Sequence, residues 1–239
     1  MAQIAYGRGH PRRGTRAARG LLALPLALFV AVTLASAGYI AYILWPRWPG
    51  PPVSPDTPSI PLVIAGVAFN VQPAAIRRPV QRRSGVHDRV DLAYLWPSLS
   101  PPDPALKATP DHPINPNERL FVTIADGAST LPPMERVKTI YPRYLAANPA
   151  PGPSGLMLRA FRDNTPYQGE DLIFDESDPE RFLARCTRNG VGNSGSCFYQ
   201  RRIGNADVTL RFPRDWLDDA PALAEIFERL IARLHPVGK

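Results

Sequence analysis

From Gly20 to Trp45 the chain reads GLLALPLALFVAVTLASAGYIAYILW, with no charged side chain. At 1.5 Å per residue, a helix of that length crosses the ~30 Å hydrocarbon core of a bilayer with some tilt. A helix is required, because backbone N–H and C=O groups in lipid find no water and must pair within the segment. Pro25 falls near its start, where a missing donor costs least.

Beyond Pro61 the apolar positions come in shorter runs. Leu62 to Val71 is a β-rich run, and Pro73 to Ile76 follows as a turn or a single helical turn. From Arg89 to Trp96, Val90, Leu92, Tyr94 and Trp96 alternate with Arg89, Asp91, Ala93 and Leu95, a strand with one core face and one mixed face. Leu120 to Ala125 is a third strand, after a proline-studded stretch from Pro97 to Asn117 that reads as a long surface loop or flap. Met134, Val137, Ile140 and Tyr141 have helical spacing behind Pro132 and Pro133, which suit a first turn. Prolines between 148 and 154 end that helix and mark a possible division into two lobes.

Strands are expected at 156–162 and 171–175. Ser177-Asp178-Pro179-Glu180 has the form of a capping box opening a short helix through Arg185. Cys197 to Ile203 and Asp207 to Phe212 flank Gly204-Asn205-Ala206, a tight hairpin signal. The last helix starts near Asp218 and Asp219, and its Leu223, Ile226, Phe227, Leu230 and Leu234 form one apolar stripe. Burying that stripe on a sheet gives an α+β fold: one N-terminal transmembrane helix, a proline-rich stalk, and one mixed or antiparallel sheet domain with about three helices.

Composition adds the stalk and the topology. Pro46, Pro49, Pro51, Pro52, Pro55, Pro58 and Pro61 favour extended polyproline II over 46–61. The 28 basic and 21 acidic residues leave a net charge of +7, yet Arg8, Arg12, Arg13, Arg16 and Arg19 all precede the apolar run. The remainder is close to neutral, which speaks against a nucleic-acid partner. Positive charge beside a span is retained inside. The expected organisation is therefore a basic cytoplasmic tail (1–19), a signal anchor held in the lipid bilayer (20–45), a linker (46–61) and a periplasmic domain (62–239) on a bacterial inner membrane. Tyr39, Tyr42, Trp45 and Trp48 would form the aromatic belt at the outer interface. The triplet Ala35-Ser36-Ala37 before Gly38 also permits cleavage after Ala37, although the apolar run continues well past an ordinary signal core.

An oxidising compartment suits Cys186 and Cys197, the only two cysteines, as a structural disulfide. The loop between them holds Gly190-Val191-Gly192-Asn193-Ser194-Gly195, a literal G-x-G-x-x-G. Dinucleotide binding needs that run to open a helix, whereas a strand is expected after it. Gly192-Asn193-Ser194-Gly195-Ser196 resembles the Gly-Asp-Ser-Gly-Gly nucleophile turn of chymotrypsin-like serine proteases, departing at two of five positions. That resemblance would imply Ser194 as nucleophile and His87 or His112 as base. The histidines have no zinc-ligand spacing. The acids from Glu170 to Glu180 miss the EF-hand pattern and are expected to gather at a helix N-terminus. No cofactor is implied.

Arg77, Arg78, Arg82, Arg83 and Arg89 form the one dense basic cluster outside the tail, with Tyr94 and Trp96 nearby in sequence. They are the candidate surface for an envelope protein or a cell-wall polymer. The sequence thus points to binding or scaffolding in the cell envelope, with an exported or tethered hydrolase acting on envelope material as the alternative.

Overall fold

The structure, a computed structural model, describes residues 16–44, 53–103, 115, 118–190 and 194–236. The chain divides into two compact units, residues 1–49 and 50–239. The first unit contains helix α1 (Arg16–Leu44), with Pro25 inside it. Leu24 to Ile43 is long and apolar enough to cross a membrane, with a mean hydropathy of 2.0, and every side chain along it is exposed. Its hydroxyl at Thr33 donates to the Phe29 carbonyl at 2.8 Å, which satisfies the donor inside the helix. Tyr39 and Tyr42 lie on this helix; Trp45 and Trp48, residues 46–52 of the stalk and most of the 97–117 loop fall outside the described residues.

In the second unit the run from 62 to 71 is two strands. β1 (Ile60–Ile64) turns through Ala65 and Gly66, both at positive φ, into antiparallel β2 (Val67–Val71). A continuous β-rich pattern conceals such a turn when it carries no Asn or Pro. β3 (Gly85–Val86) pairs parallel to β1, completing a three-stranded sheet β2-β1-β3. The larger sheet contains β4 (Arg89–Leu95), β5 (Arg119–Asp126), β6 (Ala150–Pro151), β7 (Met157–Ala160), β8 (Glu170–Phe174), β9 (Leu183–Thr187), β10 (Ser196–Ile203) and β11 (Ala206–Pro213). Its antiparallel order is β4-β5-β11-β10-β9-β8-β7-β6, and the two-residue turn Gly204-Asn205 joins β10 to β11. With α2 (Pro133–Thr139) and α3 (Ala220–Leu234), the fold is α+β.

The helix expected over 178–185 is not formed. Asp175 Oδ1 accepts from the Ser177 and Asp178 backbone N–H groups, and Asp178 Oδ1 accepts from those of Glu180 and Arg181. These two successive Asx turns satisfy the donors that a helix would have used. Leu183 to Thr187 then alternates in burial as strand β9, so Asp175, Asp178 and Glu180 sit in turns, and Glu170 and Asp171 on β8, rather than at a helix N-terminus. Cys186 consequently ends no helix: it lies directly opposite Cys197 on β10, and the disulfide links two neighbouring strands at a Cα–Cα distance of 4.0 Å.

One face of the large sheet carries the main core. Val90, Leu92, Val122, Ile124, Ala184, Tyr199, Val208, Leu210 and Phe212 meet Leu223, Phe227 and Leu230 of α3, together with Leu62, Ile64, Phe69 and Val71 of the small sheet. At the far end of the opposite face, Tyr141, Leu145, Phe161 and Leu172 form a second cluster with Val137 and Ile140 packed on it. On that opposite face α2 reaches β10 through a bond from Arg136 to Gln200.

Candidate interaction face

Side chains alternate across a strand, so register decides which residues share a face. Across the opposite face of the large sheet, the paired positions Ala93, Phe121, Arg211, Phe198, Arg185 and Leu172 run from β4 to β8 in one row. Phe121 and Phe198 remain half-buried and Arg211 is exposed. The Arg211 guanidinium lies 4.8 Å from the Phe121 ring centroid, and Arg185 lies 5.3 Å from Tyr167 and 5.9 Å from Phe198. The quadrupole of each ring favours a cation there, by about 0.5–1 kcal/mol at an exposed site.

A second row, Asp91, Thr123, Thr209 and Gln200, is polar. Gln200 Nε2 donates to Thr209 Oγ1 at 3.1 Å, and its Oε1 accepts from Arg136 of α2 at 2.8 Å. A third row pairs Arg89, Ala125, Asp207 and Arg202, in which Arg202 Nε meets Asp207 Oδ1 at 2.5 Å.

The edge of this face at β4 is finished by side chains. Gln81 donates to the Arg89 carbonyl and accepts from the Asp91 N–H, each at 3.1 Å, standing in for a missing strand. Asp91 is buried at 4% exposure, takes two bonds from Arg89 at 2.9 and 2.7 Å, and accepts the Thr123 hydroxyl at 3.1 Å. Its Oδ2 has no hydrogen-bond partner and faces Arg78 Nε at 3.4 Å. Burial alone would raise its pKa, but the bonds and charge of Arg89, with Thr123 and Arg78, outweigh that and hold the carboxyl below its ordinary value.

The five arginines singled out in sequence therefore separate. Arg77, brought to the sheet by its N–H bond to the Asp91 carbonyl, places its guanidinium 4.7 Å from the Phe121 centroid, on this face. Arg78 and Arg89 neutralise Asp91 at the edge. Arg82 is turned back onto the Ile76 carbonyl at 3.1 and 3.0 Å, and Arg83 is exposed. Tyr94 and Trp96, grouped with the cluster by sequence proximity, are not on this face. Tyr94 is in the core, its hydroxyl pushed up to about 12 by burial, and Trp96 stacks on Trp216 at 4.3 Å. Sequence reasoning did not single out Phe121, Phe198, Arg119 or Arg211. The alternation Asp207, Thr209, Arg211 was the one local sign that this face of β11 is polar.

Elsewhere, Asp171 is buried between Arg188 at 2.9 Å and Arg214 at 2.7 Å, beside the disulfide. The G-x-G-x-x-G run, of which 191–193 fall outside the described residues, lies between β9 and β10, so the next element is a strand. Ser194 Oγ donates to the Gly195 carbonyl, while His87 and His235 each meet a backbone carbonyl, of Arg83 and Ala68. Ser194 thus has no histidine beside it among the described residues. His112 lies outside them. No group of three or more histidine, cysteine or acidic side chains suited to a metal is found among the described residues.

No family model matches the chain, and no curated protein matches it in sequence. Among solved structures, it is similar to an immunity protein of the Stenotrophomonas maltophilia type IV secretion system, with TM-score 0.50 and 14% identity. That match covers 77% of this chain and 97% of the other. A second, the iron-regulated outer membrane lipoprotein FrpD of Neisseria meningitidis, matches with TM-score 0.41 and 12% identity over 77% of this chain and 96% of that one. At 14% identity the first likeness is one of fold alone.

Proposed function

We propose that this protein is a single-pass membrane protein of the bacterial cell envelope, whose α+β domain is exported to the periplasm and acts by binding or scaffolding rather than by catalysis. The observation that carries this reading is the sheet face where half-buried phenyl rings and arginines stand in one cross-strand row. Rigid, aromatic and arginine-rich surfaces are the composition that protein interfaces favour. The apolar helix and the basic residues before it support the tether and its orientation. The disulfide supports an oxidising compartment. A fold shared with an immunity protein is in keeping with a role by contact. The tethered-hydrolase alternative has no comparable grouping of side chains among the described residues.

The test is site-specific photo-crosslinking in intact cells. A crosslinker replacing Thr209, on that sheet face, is expected to trap a discrete envelope component, whereas one replacing Glu225, exposed on α3, is expected to trap none. Adducts from Glu225 but not from Thr209 would overturn the assignment of the binding face.

A further inference from the structure

Two guanidiniums stand over one phenyl ring on this sheet face: Arg77 at 4.7 Å and Arg211 at 4.8 Å from the Phe121 centroid. Neither forms an ion pair among the described residues, and nor does Arg119, two positions from Phe121 along β5 and so on the same face. The other charges on this face are matched: Arg78 and Arg89 with Asp91, Arg185 with Glu170 at 2.6 Å, and Arg202 with Asp207. Like charges held against one ring repel each other. A carboxylate arriving beside either guanidinium would meet a planar fork of the geometry it binds best.

Resting on the reading of this face as the binding surface, we infer that its partner is an acidic protein surface, whose carboxylates are taken up by Arg77 and Arg211 beside Phe121. The neighbouring row favours a protein over an anionic polymer. Thr123, Thr209 and Gln200 offer neutral hydrogen-bonding groups at the inter-strand spacing, and Phe198 offers apolar area. A protein surface presents separate carboxylates with neutral groups between them, and it matches a face that alternates in the same way.

The experiment uses the full-length protein in detergent micelles, with poly-L-glutamate as the acidic polypeptide probe and phosphatidylglycerol vesicles as the competing anionic surface. Poly-L-glutamate is expected to bind with an affinity that falls as salt rises. The double variant Arg77→Gln, Arg211→Gln is expected to lose at least tenfold in affinity and to show a shallower salt dependence. Arg83→Gln, at an exposed arginine that does not stand over the ring, is expected to bind as the parent does, and unchanged melting temperatures show that each variant is folded. Binding to vesicles but not to poly-L-glutamate, or equal loss in the Arg83 variant, overturns the inference. The crosslinking from Thr209 would still stand in that case, whereas its failure together with loss of probe binding would remove the binding face itself.

Discussion

Gly195 has no room for a side chain, since a Cβ there would lie 2.1 Å from the Thr187 carbonyl oxygen. Gly195→Ala must push the β9–β10 loop apart, and a loss of about 1–3 kcal/mol, read as a lowered urea midpoint, is the expected result. The disulfide beside it closes a short loop. Replacing both cysteines with alanine should lower stability by about 3 kcal/mol in the chain-entropy model, with the effect of added reductant on the wild type disappearing in the variant. Asp91 gives a pH signature. Its folded pKa lies below the ordinary value of 3.8, so its ionised form contributes stability at pH above that value. That contribution is lost as the pH falls through the lowered pKa. Asp91→Asn should therefore cost about 1–3 kcal/mol at pH 6, where its bonds to charged arginines are present, and the gap from wild type should narrow below pH 4 in urea titrations.

At the scale of elements, the apolar stripe on α3 was legible because period 3.6 survives in sequence whatever the helix packs on. Leu223, Ile226, Phe227, Leu230 and Leu234 are all buried. Phe227 packs with tilted rings against Tyr199 and Phe212 at 5.3 and 5.1 Å, and Phe227→Ala is expected to cost about 3–5 kcal/mol in chemical denaturation. The 178–185 segment was misread because Ser-Asp-Pro-Glu serves equally as a capping box and as a pair of Asx turns. What separates the two is the partner: Leu183 to Thr187 hydrogen-bonds along β8, and Cys186 is tied to β10. Neither neighbour is visible from within the segment.

For the molecule as a whole, the proposed tether makes the membrane span and the binding face parts of one device. Charges placed mid-span, as in Val30→Arg with Leu34→Arg, each oppose insertion by about 2.5–3.5 kcal/mol on the translocon scale. Loss of carbonate-resistant membrane association is the expected outcome. The intact mass of the protein from membranes tests anchor against cleavable signal: a species lacking residues 1–37 would mean that the domain is released rather than tethered. The domain itself has one main core built from both sheets and α3. That core turns the apolar face of the large sheet inward and leaves Phe121, Arg211 and Phe198 facing out.

The local pattern was enough for the apolar span, the β10–β11 hairpin, the stripe of α3 and the pairing of the only two cysteines. Each depends on periodicity, turn chemistry or elimination, all of which act over a few residues or need no geometry. Of the five arginines clustered in sequence, Arg77 alone stands over a ring of this face, and Arg78 and Arg89 pair with Asp91 at its edge. The companions of Arg77 come from β5, β9, β10 and β11, whose residues meet through inter-strand register. Register is set by which backbones exchange hydrogen bonds and which faces a distant core buries, and so it belongs to the folded chain rather than to any stretch of it.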